Sequence, residues 1–446
     1  MGSLGGNLLL VGSARTGQAL EKGSPVAFMT DSNHAPPKSL RVLISGAGIG
    51  GLVAAYWLGK AGASVTVLER AGEIRREGHV IGIRKEALPI VESMGLGEAL
   101  RGRKTGELGL RIVDGFHNAW ASIPLSDAGF TCPLQIHRGD LVAALYEATK
   151  DKASFIYEDS IDTVEEINET LRVTLSNRKS QALDFDVLMV AEGMRSHTRA
   201  KIFNRPVQEP ILSLGLLVAT FSFESDQAWA SCYHIPDHRA ILVRPDRHGR
   251  AYAHAICRGR SRKPAIGPQP SKDQHRAQFF QLFQKTGWES ERITKALGEA
   301  GDLHIQEVAQ VRCKVWSKGR TVLLGDSAYC PSPIGGMGAT AAIIGGYNLA
   351  VELIKNPADP QAAFRAYELS LRPWIDAIQK PAPAIAKLGF PETRLGILSL
   401  HFLVYLYFAS PARLLFLPFI LLLKHFGFFK PTSPPPVPSP SVFAQS

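Results

Sequence analysis

Cysteine is scarce, with five residues in 446. Cys132, Cys232, Cys257, Cys313 and Cys330 are far apart, odd in number and form no CxxC. That excludes a disulfide framework and zinc-finger spacing, and it fits reduced thiols in a protein facing the cytosol. Charge of one sign is not concentrated either. The formal net charge is +10, yet Lys and Arg are scattered, and the densest stretch, Arg258 to Lys263, is short and runs into Pro264 and Gly267. It reads as a solvated loop, so no nucleic-acid surface is expected. No uninterrupted apolar run reaches the roughly 20 residues that a spanning helix needs. Neither a Ser/His/Asp arrangement nor a pair of catalytic carboxylates is evident, and no cluster of metal-ligand spacing stands out.

What is present is ordinary globular composition, 45% hydrophobic and 20% charged, in a chain too long for one core. Two intimately packed domains with extensions are expected. Residues 1 to 38, rich in Gly and Ser and ending Ala35-Pro36-Pro37, read as a disordered extension. The apolar run Leu8 to Val11 is too brief for a secretory leader, and Gly at position 6 does not fit a myristoylation signal. Order is expected from Leu40. Arg41 to Ser45 reads as a strand, Leu52 to Leu58 as a helix ended by Gly62, and Val65 to Leu68 as a second strand. Leu171 to Leu175, Val187 to Val190, Leu216 to Phe223 and Ala251 to Cys257 read as strands of a sheet covering a pocket, and 276 to 300 as helical.

The turn between the first two strands carries chemistry. Gly46-Ala47-Gly48-Ile49-Gly50-Gly51 satisfies G-x-G-x-x-G through Gly46, Gly48 and Gly51. One glycine permits the tight turn, one lets backbone approach a pyrophosphate, and one lets helix and strand pack closely. The phosphates then sit at a helix N-terminus, where free N–H groups and the dipole favour anions. Glu69 ends the second strand, where an acid accepts hydrogen bonds from a ribose with a free 2′-hydroxyl, as in FAD or NAD.

Further along, Gly319-Arg320-Thr321-Val322-Leu323-Leu324-Gly325-Asp326 is followed by Pro331, Pro333 and Gly335-Gly336-Met337-Gly338-Ala339-Thr340. Read by itself, Val322 to Leu324 is a buried strand with Asp326 at its C-terminal end, and Gly335 to Gly338 opens a helix onto a ligand. This segment resembles the second flavin motif of the group A FAD-dependent monooxygenases, the p-hydroxybenzoate hydroxylase-like family. The resemblance spans about residues 40 to 380. It implies FAD, with Asp326 on the ribityl chain, Gly338 and Ala339 as backbone contacts, Arg138 reaching the flavin from the helix after His137, and Gly82 and Ile83 lining it. Arg84 is expected to face the pocket. Two departures stand out: Glu192-Gly193 replaces the family's Asp-Gly pair, and Tyr329 stands where many relatives have His.

The fold implied is α/β. A Rossmann-like FAD-binding domain (39–105, with parts of 106–310, and 311–385) is interleaved with a β-sheet substrate domain within 106–310. NADPH or NADH is the expected reductant and co-substrate, binding transiently, since no second G-x-G-x-x-G is evident. The implied chemistry is hydroxylation or epoxidation of a small, lipophilic secondary metabolite through a flavin C4a-hydroperoxide. In that scheme the cofactor carries the chemistry and the protein orients and excludes water. Arg195, Tyr233 and His234 are the candidate pocket groups. Two alternatives remain open: another flavoprotein oxidoreductase such as a halogenase or reductase, whose Trp-rich motif is not seen, and a non-enzymatic dinucleotide sensor. Leu395 to Ala409 and Leu414 to Phe429 form an apolar tail at 395–429, read as a helical membrane anchor at the cytoplasmic face or, alternatively, as a buried helical pair. Residues 430–446, rich in Pro, read as disordered.

Overall fold

A computed structural model of the chain describes residues 39–75, 78–126, 131–178, 181–246, 248–259, 271–408, 410 and 433–444. Contacts divide the chain into 1–38 and 39–446. The expected N-terminal extension, most of the basic loop and the second apolar run lie outside the described residues.

Arg41–Ser45 forms strand β1, Ile49–Lys60 helix α1 and Ser64–Leu68 strand β2. Val42, Leu43 and Ile44 are all fully buried, because β1 is covered on both faces, as an apolar run in a parallel sheet must be. Ser154–Ile156 (β7), Val187–Val190 (β11), Ser317–Lys318 (β17) and Thr321–Leu323 (β18) return to it, giving a six-stranded sheet of order β17-β18-β11-β1-β2-β7. All neighbours except β17 and β18 pair in parallel. Widely separated stretches of chain therefore bring their strand C-termini to one edge, the place where ligands bind in open α/β sheets.

A second sheet has seven strands: Gly109–Val113 (β4), Ala119–Pro124 (β5), Ile211–Glu224 (β12), Ala230–Ile235 (β13), Arg239–Pro245 (β14), Arg250–Arg258 (β15) and His304–Val311 (β16). Helices Lys272–Phe283 (α6) and Ser290–Glu299 (α7) cover one face, where Phe279, Phe283, Ile293 and Leu297 pack on Phe221, Tyr233, Ile241 and Ala253. The single helical stretch expected over 276–300 is broken because Gly287 takes φ +97° beside the Tyr233 hydroxyl. Strand alternation turns Leu216, Val218 and Ile256 to the other face, against Ile334 and Phe390.

Between the sheets runs an antiparallel ribbon of Val80–Ile83 (β3) and Leu134–His137 (β6), followed by helix Arg138–Thr149 (α4). Short helices Leu88–Ser93 (α2), Gly97–Arg101 (α3) and His197–Phe203 (α5) and a three-stranded sheet of Ile161–Ile167 (β8), Thr170–Leu175 (β9) and Ala182–Phe185 (β10) complete the centre. Asp326–Tyr329 (α8), Gly338–Lys355 (α9), Pro360–Gln379 (α10), Pro381–Leu388 (α11) and Arg394–Phe408 (α12) follow. Helix α9 packs directly on α1, and only glycine fits at the crossing: a Cβ at Gly346 would strike the Gly50 carbonyl oxygen at 2.5 Å.

The C-terminal segments depart from expectation. Helix α12 has 15 residues and lies on β5 and β13, with His401 buried. No helix among the described residues is long and apolar enough to cross a membrane, and α12 leaves Leu395, Leu398, Phe402, Leu403, Tyr405 and Tyr407 exposed. The Pro-rich end, expected to be disordered, docks on α1 and α9. The Tyr347 hydroxyl donates to the Pro438 carbonyl at 2.6 Å, and the Phe443 ring lies 4.7 Å from Trp57 and 5.7 Å from Tyr347, almost fully buried. Removing that ring leaves a cavity, so Phe443→Ala is expected to destabilise the fold by about 3 kcal/mol in denaturant titration. An unchanged midpoint would contradict this docking.

Candidate functional site

The G-x-G-x-x-G turn leaves β1 with its glycines in separate roles. Gly46 takes φ +112°, and a Cβ there would meet the Ala191 carbonyl. A Cβ on Gly51 would meet the Gly46 carbonyl. Gly48, by contrast, would find nothing closer than the Ala191 oxygen at 3.9 Å, so its backbone faces open space. Helix α1 starts there with Gly48 at its cap and no side chain capping it. Its first N–H groups are left for an anion. Glu69, at the end of β2, accepts the Ala47 N–H and the Ala71 N–H, each at 3.0 Å. It thereby braces the turn, and its remaining lone pairs are free for a ribose.

Asp326 opens α8 just beyond β18. The residue is exposed to solvent, yet protein atoms crowd its carboxyl. Burial raises its carboxyl above the ordinary value, while the Cys330 and Arg138 groups pull it down. Arg138, the first residue of α4, feels Asp326 and Glu69 as attractive charges and Arg75 as a repulsive one. Arg138 thus lies within electrostatic reach of the two expected acidic ligands, which come from separate segments.

The start of α9 completes the wall. A Cβ at Gly338 would touch nothing within 4 Å, and no side chain caps this helix. The Thr340 hydroxyl accepts the Arg84 N–H at 3.1 Å, which sets the β3 ribbon beside the helix. At Gly82 the reason for glycine differs from expectation: a Cβ would press on Cys132 Sγ at 2.7 Å, so its smallness serves the ribbon's packing. The Ile83 side chain is buried and its carbonyl accepts the Cys132 thiol at 3.5 Å, which leaves backbone, not side chain, toward the cleft from this strand.

Glu192 is fully committed. It accepts from Ser45 and Ser196, each at 2.6 Å, and from Thr198, so it ties the end of β1 to the start of α5. Arg199 is likewise structural, donating to the carbonyls of Met194, Val207 and Ser327. Arg195 is exposed in the turn between β11 and α5. Tyr233 is not brought to the flavin-motif side of the sheet. Its hydroxyl donates to the Thr286 carbonyl under α6 and α7, because strand alternation turns it away from the cleft. Its neighbour His234 points the other way, toward α12, and its Nδ1 lies 3.1 Å from His401 Nε2.

That buried pair escaped sequence reading. Burial pushes the His234 imidazole down to about 4, with the His401 ring adding to the effect. Burial lowers His79 to about 4 as well. Since these folded-state values lie below the ordinary 6.5, folding favours the neutral rings. Stability from them is complete above 6.5 and is lost as pH falls toward 4. The melting temperature is therefore expected to drop through that window and to drop less in His234→Gln; a flat profile would contradict the burial of these rings.

Residues 39–368 match the FAD binding domain family. The chain is 32% identical over 390 residues to the flavin-dependent monooxygenase eupH of a Phoma species, covering 80% of this chain and 90% of that protein. It is 30% identical over 379 residues to monooxygenase CTB7 of Cercospora beticola, covering 80% and 89%. The crystal structure of tetracycline destructase Tet(55) superposes with TM-score 0.70 at 24% identity, over 83% of this chain and 97% of that one, a likeness of fold. With a family match over residues 39–368 and relatives over four-fifths of its length, the chain belongs to the FAD binding domain family and is an FAD-dependent monooxygenase.

Proposed function

We propose that the chain oxygenates a small, lipophilic secondary metabolite by hydroxylation or epoxidation, with NADPH or NADH as reductant. The observation that carries this reading is that Arg138 lies within electrostatic reach of both Glu69 and Asp326, supported by the open space at Gly48 and Gly338 and by the apolar clusters of the second sheet. Bound FAD supplies the two-electron reduction by the nicotinamide and the activation of dioxygen.

The chain's own groups bind and orient. The Gly46–Gly51 turn and the α1 N-terminus hold the pyrophosphate. Glu69 accepts from the adenosine ribose, and Asp326 accepts from the ribityl chain. Arg138 supplies positive charge, while the N–H groups of Gly338 and Ala339 and the β3 backbone at Gly82 and Ile83 hold the ring edge. On the sheet, Leu110, Ile112, Ala230 and Val404 of α12 pack together and exclude water from the substrate side. His234 and His401 are polar groups within that apolar face.

The test is NADPH consumption by the purified flavoprotein across a panel of phenolic, polycyclic and terpenoid metabolites, with isotopically labelled dioxygen. Stimulated consumption with one labelled oxygen atom in the product is expected. Stimulated consumption without labelled product, or with halide incorporation, would overturn the proposal in favour of a reductase or a halogenase.

A further inference from the structure

The residue before Arg138 is built into an unusual joint. His137 is the N-cap of α4, with φ −69° and ψ 135°, and its Nδ1 accepts the Gly139 N–H at 3.2 Å. Helix caps are ordinarily Ser, Thr, Asp or Asn, whose short side chains end at the helix. An imidazole does the same capping with one nitrogen and has a second to use elsewhere. Since Nδ1 accepts, the ring's single proton sits on Nε2, which lies 2.6 Å from the Gly78 carbonyl and 2.9 Å from the Tyr252 hydroxyl, so both oxygens accept from that one N–H. The Arg138 N–H in turn donates to the His79 carbonyl at 3.1 Å, and Gly78 is flat against the arginine, since a Cβ there would stand 2.9 Å from Arg138 Cβ. Arg138 is thus fixed through its backbone by His79, along its stem by Gly78 and at its helix cap by His137.

Tyr252 belongs to β15 of the second sheet, where it pairs with Arg244 of β14. Arg244 also reaches across, to the Val80 carbonyl of β3 at 3.4 Å. Two side chains on neighbouring strands of the substrate sheet therefore grip the ribbon that leads into Arg138.

We propose that Tyr252 and His137 form a strut through which the substrate sheet sets the position of Arg138 at the flavin, making both positioning residues for the cofactor. The inference rests on the assignment of Arg138 to FAD. Neither residue need touch FAD itself. Its consequence is that a change in the sheet at Tyr252 reaches the flavin, whereas one at Tyr233, a buried tyrosine on the α6–α7 side, does not.

The test uses the full chain, with FAD affinity from quenching of flavin fluorescence and the midpoint potential of the bound flavin from redox titration. His137→Asn keeps a capping acceptor but is too short for the strut, and Tyr252→Phe removes only the hydroxyl. Tyr252→Phe is expected to weaken FAD about fivefold, as for one hydrogen bond, and to shift the flavin potential. His137→Asn is expected to weaken FAD by more, and the double variant to be no worse than His137→Asn, because the two act as one unit. Tyr233→Phe, which removes a hydroxyl elsewhere in the same sheet, is expected to leave both quantities unchanged. Wild-type affinity and potential in Tyr252→Phe, or losses that simply add in the double variant, would overturn the strut. Arg138→Ala separates the premise from the inference. If it binds FAD as wild type does, the assignment of Arg138 fails; if it weakens FAD while Tyr252→Phe does not, the strut alone fails.

Discussion

A Gly46→Val variant is expected to purify without flavin and to bind added FAD at least about a hundredfold more weakly, a difference on the order of 3 kcal/mol. Gly46 takes φ +112°, which a β-branched residue hardly adopts, and the new Cβ would collide with the Ala191 carbonyl at the end of β11. The collision can be relieved only by parting β1 from β11, and that moves the turn presenting Gly48 and the α1 N-terminus. Gly48→Ala supplies the contrast. Its Cβ would meet nothing closer than 3.9 Å, so the unliganded fold should keep its stability. It would nonetheless lose FAD affinity, because the methyl occupies the ligand's approach. Thermal unfolding and flavin titration on both variants separate a folding defect from a binding defect. Equal FAD affinity in Gly48→Ala and wild type would contradict the assigned role of that backbone.

The second large effect is one of stability. Glu107 has a fully buried carboxylate, and Arg244 grips it with hydrogen bonds at 3.0 and 3.1 Å. Burial raises the Glu107 carboxyl while the Arg244 guanidinium lowers it. Taking one partner from such a pair leaves an uncompensated buried charge, which costs roughly 3–5 kcal/mol. Glu107→Ala is expected to lose that much in urea unfolding. Glu107→Leu combined with Arg244→Met should recover most of it, since apolar groups of similar volume can replace a buried ion pair. A loss below about 1 kcal/mol for Glu107→Ala would mean that water reaches the pair.

These two predictions mark the boundary of what can be read from the chain. The first β-α-β unit and the strand ending at Gly325-Asp326 were legible because their rules are local. A positive φ needs glycine, a buried parallel strand needs a continuous apolar run, and an anion needs an uncapped helix start. Their convergence was legible only as a family resemblance, since residues 69, 138 and 326 meet through the sheet order. Tyr233 and His234 show what the sequence left open about this sheet, since only His234 faces away from α6 and α7. Adjacent strand residues point to opposite faces, and which face is covered was decided by α6 and α7, whose sequence follows at 272–299. The Glu107–Arg244 and His234–His401 pairs join residues 137 and 167 positions apart, and no periodicity announces them. The apolar sequence from Leu395 was ambiguous in kind, because a helix covering a sheet and one entering a membrane use the same residues. In α12 only His401 is buried, while Leu395, Leu398, Phe402 and Leu403 stay exposed.

The most direct measurement is the visible absorbance of the full-length chain after incubation with FAD and removal of free cofactor, alongside Gly46→Val treated identically. The wild-type chain should retain a yellow chromophore close to one per chain and the variant almost none. A wild-type chain that is folded by circular dichroism but colourless, or a variant that retains as much flavin, would contradict the placement of the cofactor at this cleft.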